Sequence, residues 1–558
     1  MRTPAYNGDL SLHLISGPHV VLLGMNWPEA RRDELMGFAI YRTNLLTGAG
    51  DWIYGQKNFP GAVSPNPGAK YSTRLAPVQS FSWGDYTPRP GGQYRYRVLA
   101  LSGAPGALTE LAFVEADIDC PTTTPGGHAI NFNRGAVAAQ EYARRFNNQH
   151  PQNVANGEAL TWLTRGLFES AVAFVRRATG AGTSLHVAIY EARYAPMLNE
   201  LKAARDRGAD VHIVFDAKNN GSGDDEAFPR EENLSHLDDA GLLAIGCTER
   251  TANPSFIAHN KFIVLSNYGT AQAVWTGSTN WSLNGFMGQL NAAHVVDNPT
   301  LAAKYLDFWT LLDANPNGQQ LRPDLTALTP VPAVAVNPSL VPVFSPQAGR
   351  AALDHYISLA TGAKAVMVTF AFSIDPAFAN ALKVDDDALR YVLLDGIKGN
   401  NTQKAKIRQA VKEMRASPAT QVAIGAYVRE NALDNWLVET SNMMAEHVQF
   451  VHTKFLIVDP LGAQPVVVTG SANFSEPSCN QNDENMLIVA GDPDVADVYL
   501  GEFMRSYAHY AFRDAREAAR RAGHDFKVKP LAETSAWTEP YYQVGNFKRR
   551  QREYFAAP

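Results

Sequence analysis

The chain has 558 residues, 45% hydrophobic and 19% charged, with a net charge of −6 and a pI near 6.2. That excludes a disordered or fibrous chain, allows several cores, and excludes a globally basic nucleic-acid binder while leaving room for a local basic groove. The three cysteines, Cys120, Cys247 and Cys479, are too few and too scattered for a disulfide framework, and no apolar run reaches the roughly 18 residues of a membrane span.

The N-terminal segment "MRTPAYNGDLSLHLISG" has no basic stretch followed by a long apolar one, so a cytoplasmic chain, or one exported without a cleaved signal, is expected. Residues 1–120 hold short runs such as "HVVLLGMNW", "GFAIYRTN" and "QYRYRVLALSG" between Gly/Pro/Asn turns, the pattern of a small β-sandwich. In "PGGQYRYRV" a tyrosine follows a Pro-Gly corner, which resembles the tyrosine corner of immunoglobulin-like sandwiches, and the whole segment resembles a fibronectin type III domain. Residues 121–135, within "CPTTTPGGHAINFNRG", read as a linker.

Helix and strand then alternate. "LTWLTRGLFESAVAFVRRATG" predicts one amphipathic helix, "SLHVAIYEA" a strand, "APMLNELKAARDRGA" a helix and "DVHIVFDA" a strand, an order that implies a parallel or mixed sheet covered by helices. Residues 334–347 read as a Pro-rich crossing. Beyond it come helix "GRAALDHYISLATGA", strand "AVMVTFAFS", helix "DALRYVLLDGIK", a basic helix through "MRASP" and strand "QVAIGAYV". The expected architecture is α/β, with two homologous halves, 136–333 and 348–558 (the latter including the C-terminal tail), sharing one cleft behind the β-sandwich.

The halves share a motif. "HNKFIVLSNYGTAQAVWTGSTN" starts at His259 and "HTKFLIVDPLGAQPVVVTGSAN" at His452; the two 22-residue stretches align without a gap and share nine identities. On a strand, residues i and i+2 face one side, so His259 with Lys261, and His452 with Lys454, project together. A second apolar strand follows and ends in Gly277-Ser278-x-Asn280, or Gly470-Ser471-x-Asn473. Lysines supply fixed charge, Ser and Asn supply neutral donors, and an imidazole can attack or carry a proton. Two imidazoles ringed by such groups suit a phosphodiester, with one attacking phosphorus while the other protonates the leaving oxygen. Each copy then supplies half of one site.

The doubled His-x-Lys with Gly-Ser-x-Asn resembles the HKD motif of the phospholipase D superfamily over roughly residues 130–520. The resemblance implies a covalent phosphohistidine, with no cofactor and no metal. The Asp of the full motif is present as Asp459 in the second copy; the first has Ser266, and the resemblance gives this Asp, with Gly277 and Gly470, a structural role. In the family an acidic or amide residue downstream holds the His ring. Eleven residues after Asn473 lies Glu484, and eleven after Asn280 lies Asn291. Glu484 is therefore expected beside His452, raising its pKa, and Asn291 beside His259. That makes His259 the nucleophile and His452 the general acid and later base. Tyrosyl-DNA phosphodiesterases share this amide-then-Glu arrangement.

The expected reaction is hydrolysis or transphosphatidylation of a phosphodiester, a phospholipid first, with possible peripheral membrane contact. The alternatives are a nuclease or DNA-end phosphodiesterase, and a toxin- or effector-like module that uses the β-sandwich to bind a partner. Both half-sites lie in one chain, so a monomer is expected. His186 and His212, in apolar strands, are expected in the core.

Overall fold

A computed structural model describes residues 1–64, 69–124, 126–135, 139–218, 229–252, 256–331, 339–425 and 450–557. Two four-stranded antiparallel sheets form at the N-terminus. One has the order β1 (Arg2–Asn7), β2 (Leu10–Ser16), β3 (Val21–Asn26), β8 (Ser82–Asp85). The other runs β10 (Ala107–Cys120), β9 (Gly92–Ala104), β4 (Gly37–Asn44), β5 (Gly50–Trp52), and a two-stranded ribbon pairs β6 (Tyr54–Gly55) with β7 (Tyr71–Ser72). Alternation drives them: β9 buries Tyr94, Tyr96 and Val98 while Gln93 and Arg95 face water. Tyr94 lies just after the Pro-Gly corner, and its hydroxyl accepts the Arg89 backbone N–H at 3.0 Å.

Each of the next two units is built on a seven-stranded sheet. The first has the order β11 (His128–Phe132), β17 (Ala292–Val296), β16 (Thr270–Gly277), β15 (Lys261–Asn267), β12 (Thr183–Ile189), β13 (Asp210–Asp216), β14 (Cys247–Arg250). The second has β18 (Ser339–Ser345), β24 (Glu484–Ala490), β23 (Val466–Gly470), β22 (Phe455–Val458), β19 (Ala365–Phe370), β20 (Leu389–Leu394), β21 (Thr420–Ile424). Strand for strand, order and direction agree: the last three strands are parallel and the remaining pairings antiparallel. One unit has been used twice.

Four sequence expectations need correction. Strand β11 lies inside the predicted linker, and β18 inside the predicted Pro-rich crossing. Both are edge strands, and an edge tolerates Pro342 because the missing N–H can face away from the ladder. "DALRYVLLDGIK" is not a helix: Leu389–Leu394 is strand β20, buried on both faces, and a short run that is apolar except for the buried Arg390 carries no period to separate the two. The helix predicted through "LTWLTRGLFESAVAFVRR" breaks into Glu158–Thr164 and Leu167–Val175, because Arg165 and Gly166 both take left-handed backbone. Helix Asn401–Ala416, capped by Asn400, is as expected, and the cysteines are free.

The 29-residue helix Pro493–Arg521 is the spine. It starts on Asp492, which accepts the Val495 N–H at 2.9 Å, and it touches β2 and β8 of the N-terminal sheets as well as β11 and β20–β23. The C-terminal segment does not stay with the second half. Trp537, Tyr541 and Tyr542 pack with Phe38 and Phe81 in the N-terminal core, and the Phe555 carbonyl lies against Gly24. At about 1.5–3 kcal/mol for each fully buried aromatic side chain, this tail ties the N-terminal unit down firmly. Among the described residues no helix is long and apolar enough to cross a membrane.

Candidate active site

Strands β15 and β22 start at the two motif lysines' end of the sheets, with both histidines just ahead of them. The His259 and His452 rings are buried and face each other with centroids 6.5 Å apart. Backbone bridges between the halves set this distance. His259 N–H donates to the Asp483 carbonyl at 2.9 Å, and Asp483 N–H to Ile257 at 3.0 Å; His452 N–H donates to Leu290 at 3.0 Å, and Leu290 N–H to Phe450 at 2.7 Å. The buried Arg250–Asp483 ion pair, at 2.8 Å, reinforces the first bridge.

These bridges overturn the expected ring partners. Asp483 precedes Glu484 and Leu290 precedes Asn291, so each His meets the polar residue of the other half. His259 Nδ1 lies 2.8 Å from Glu484 Oε2, and His452 Nδ1 lies 2.8 Å from Asn291 Oδ1. Sequence spacing within one half could not reveal a pairing made across the interface.

The serines hold these acceptors. Ser278 Oγ donates to Asn291 Oδ1 at 2.8 Å, and Ser471 Oγ donates to Glu484 Oε2 at 2.7 Å. Asn291 Nδ2 donates to the Gly285 carbonyl at 2.8 Å, which leaves Oδ1 as acceptor for an Nδ1–H of His452. Both rings are thereby held with the proton on Nδ1 and Nε2 free for chemistry. Lys454 Nζ donates to the His452 carbonyl at 2.7 Å, and Lys261 Nζ likewise to the His259 carbonyl. The amide oxygens of Asn280 and Asn473 are buried without partners, so neither is committed to the fold. Gly277 and Gly470 are needed for close approach: a Cβ would sit 2.1 Å from the Ala292 carbonyl and 2.2 Å from that of Asn485. Asp459 is not in the site; its Oδ1 accepts the Ala365 N–H at 2.7 Å and pins the end of β22 to β19. Ser266, at the matching position, has a buried hydroxyl without a partner.

Burial dominates the electrostatics. It lowers the His259 pKa to about 4 against the opposing pull of Glu484, and Lys261 adds to the lowering. His452 is pushed further down, well below the ordinary value, by burial and then by Lys454, Lys261 and His259, with no carboxylate to offset them. Lys261 falls to about 7, mainly through burial. Two buried lysines and two buried imidazoles lie around Glu484, with the buried carboxylates of Glu191, Asp216 and Asp395 also acting on the lysines, and an anion arriving among the four basic groups would raise the pKa of each.

The family described as "Cardiolipin synthase, PLD-like domain" matches residues 174–311 and 355–507, more than half of the sequence. The chain belongs to this PLD-like family. No match was found among curated proteins. Similar solved structures include phosphatidylserine synthase of Haemophilus influenzae Rd KW20, at 12% identity and TM-score 0.43, over 62% of this chain and 85% of that one. Yeast tyrosyl-DNA phosphodiesterase matches at 13% and 0.30, over 56% and 83%. Polyphosphate kinase from Porphyromonas gingivalis matches at 13% and 0.37 over 62% of this chain, which spans about half, 48%, of that enzyme.

Three residues of this PLD-like site escaped the sequence reading. Asp216, at the end of β13, accepts the Ala258 N–H at 2.6 Å; Asp395, just beyond the end of the equivalent β20, accepts the N–H groups of Phe450 and Val451 at 2.6 and 2.7 Å. Each buried carboxylate fixes the backbone immediately before one of the two motif histidines, and burial raises the Asp216 pKa to about 6. The available signal was an Asp ending the second parallel strand of both halves. Tyr190 also escaped notice: its ring lies 5.1 Å from that of His259 and 5.2 Å from Lys261 Nζ. Trp275, Trp281, Phe286 and Phe474, in or near the motif copies, are buried in the core. Trp436 and most of the acidic stretch at 221–232 lie outside the described residues.

Proposed function

We propose that the chain transfers or hydrolyses a phosphodiester through a covalent phosphohistidine on His259. The observation that carries this is the pair of facing imidazoles, each held at Nδ1 by a partner from the other half. His259 Nε2 attacks phosphorus, and His452 Nε2–H gives its proton to the leaving oxygen. In the second step His452 takes a proton from water, or from an acceptor alcohol, as that oxygen displaces His259. Lys261, Lys454, Asn280 and Asn473 face the non-bridging oxygens, whose charge grows as phosphorus becomes five-coordinate.

The crossed pairing alters the basis for these roles. If the carboxylate's main effect were to keep a ring protonated, Glu484 would make His259 the acid. A stronger effect acts later. When Nε2 bonds phosphorus while Nδ1 keeps its proton, the ring becomes cationic, and Glu484 stabilises that charge in the transition state and adduct more than in the resting enzyme. His452, without a carboxylate, is the readier proton donor once an anionic substrate has raised its pKa.

A phospholipid is the preferred substrate, supported by the cardiolipin synthase description of the family and by the chain's mild acidity. The strand orders β2-β3-β8 and β10-β9-β4-β5, with the Tyr94 hydroxyl bonded back to Arg89, support a fibronectin type III-like reading of the N-terminal unit. Phosphatidylcholine or phosphatidylethanolamine vesicles and single-stranded DNA, assayed side by side with excess EDTA, test the proposal. Phosphatidate, or a transfer product when glycerol is added, is expected from the vesicles. Cleavage of DNA alone overturns the substrate; loss of all activity with EDTA, restored by magnesium, overturns the mechanism.

A further inference from the structure

The C-terminal tail and the N-terminal sheets do not close completely on one another. Between them lies a cavity of about 1100 Å³, at the upper end of the roughly 300–1,000 Å³ of small-molecule sites. None of its lining residues belongs to the His259/His452 site. Its walls include the indoles of Trp52, Trp83 and Trp537 with Ile53, Val78 and Leu531.

Charge at the cavity is lopsided. Lys57, on the loop after β6, Lys529, on the segment leading into the tail, and Lys548, on helix Phe547–Ala556, all line it. They are remote in sequence yet close enough to repel: Lys57 and Lys529, after partial burial, lower the pKa of Lys548. No carboxylate among the described residues lies in ion-pair range of these three. Two lining carboxylates do not balance them. Asp85 is engaged by Arg42 at 2.6 Å and Tyr96 at 2.9 Å, which leaves Asp51 as one lining carboxylate against these three lysines and Lys70, which also lines the cavity. Mutually repelling ammonium groups held together by the fold raise the energy of the empty site and lower it when an anion arrives. Aromatic and aliphatic walls beside them favour an apolar body on that anion.

The geometry points to a binding site for an anionic amphiphile, a lipid whose single acidic head meets Lys57, Lys529 and Lys548 while its chain lies against Trp52, Trp83 and Trp537. The head's chemistry is shared by carboxylate and phosphate lipids. The site is separate from the proposed catalytic one and stands whether or not that reading holds.

The test uses the full chain. Binding of 9,10-dibromostearate, whose bromines quench nearby indoles, is followed by tryptophan fluorescence, with competition by dihexanoyl phosphatidate and by inorganic phosphate. Quenching that saturates, is displaced by phosphatidate and is not displaced by phosphate is expected. The double variant Lys57→Glu/Lys529→Glu changes exposed side chains and is expected to keep the parent melting temperature, and the triple variant that adds Lys548→Glu, whose ammonium lies over the Tyr541 ring, is expected to bind at least 10-fold more weakly than the parent. Ala536→Phe, on the exposed part of the lining, is expected to weaken binding without charge change. No saturable quenching, equal binding of the uncharged methyl ester, unchanged affinity in the triple variant, or displacement by inorganic phosphate alone would each overturn the assignment.

Discussion

The two halves share every strand, every pairing direction, and the His-x-Lys and Gly-Ser-x-Asn groups, yet they differ in the polar residue that hydrogen-bonds each ring at Nδ1. The second half contributes Glu484 and the first contributes Asn291, and each is delivered across the interface to the other half's histidine. A duplicated scaffold makes two equivalent imidazoles; a single carboxylate makes them unequal. The difference also shows at the ends of the motif strands. Asp459 ties the end of β22 to β19 through its side chain, whereas β15 is held there by its backbone ladder with β12, which runs through Ser266 and Asn267. Asymmetry in chemistry thus needs only a side-chain change placed where the halves meet.

This comparison can be broken most severely at the rings. His259→Ala should cut kcat by about 10⁴-fold or more, measured on a phosphodiester with a good leaving group. Next is the carboxylate: Glu484→Gln should cost about 10²–10³ in kcat, because it removes charge stabilisation needed only as His259 becomes cationic. Equal losses from Asn291→Ala and Glu484→Gln would make the halves equivalent after all. Asn291→Asp sharpens the point, since a new carboxylate beside His452 should move the acid's limb of the pH–rate profile upward. Asp216→Asn and Asp395→Asn should lower kcat about 10- to 100-fold with little change in KM, through misplaced histidines. Asp395 should matter more, because both backbone N–H groups it holds lie just ahead of His452, whereas Asp216 holds one ahead of His259 and spends its other oxygen on the Lys218 N–H.

The smallest effect is on stability. His259 and His186 both have pKa values lowered to about 4 by burial. The unfolded chain therefore binds protons first as pH falls below about 6.5, so the stability from keeping these rings neutral is present above that pH and lost progressively toward pH 4. Asp216, raised to about 6, opposes this over part of the range. Thermal melts between pH 7 and 4 should show a net fall, and His259→Gln should make it shallower.

The motif, its duplication and the α/β class were legible because strand alternation and residue type are local signals. Edge strands β11 and β18 were not, since Gly and Pro neighbours gave them the texture of linkers. Strand β20 was hidden by burial on both faces, which erases the period of two. The crossed partners of His259 and His452, and the docking of Trp537 and Tyr541 into the N-terminal core, depend on contacts between residues more than 160 apart. No pattern within a segment records such contacts. That docking also bears on a chain shortened to start near Asn131. Without the N-terminal unit Trp537, Tyr541 and Tyr542 lose their cover, so such a chain should need the tail removed as well to stay soluble.

The central claim is that the carboxylate crossing from the second half makes His259 the nucleophile. Intact-mass and peptide mass spectrometry of the His452→Ala variant test it directly, after reaction with a p-nitrophenyl phosphodiester and quenching at alkaline pH, where phosphohistidine survives. Attack on this substrate needs no acid, and breakdown lacks its base, so an adduct should accumulate on His259. No adduct on His259 in this variant, together with one on His452 in His259→Ala, would contradict the account and exchange the two roles.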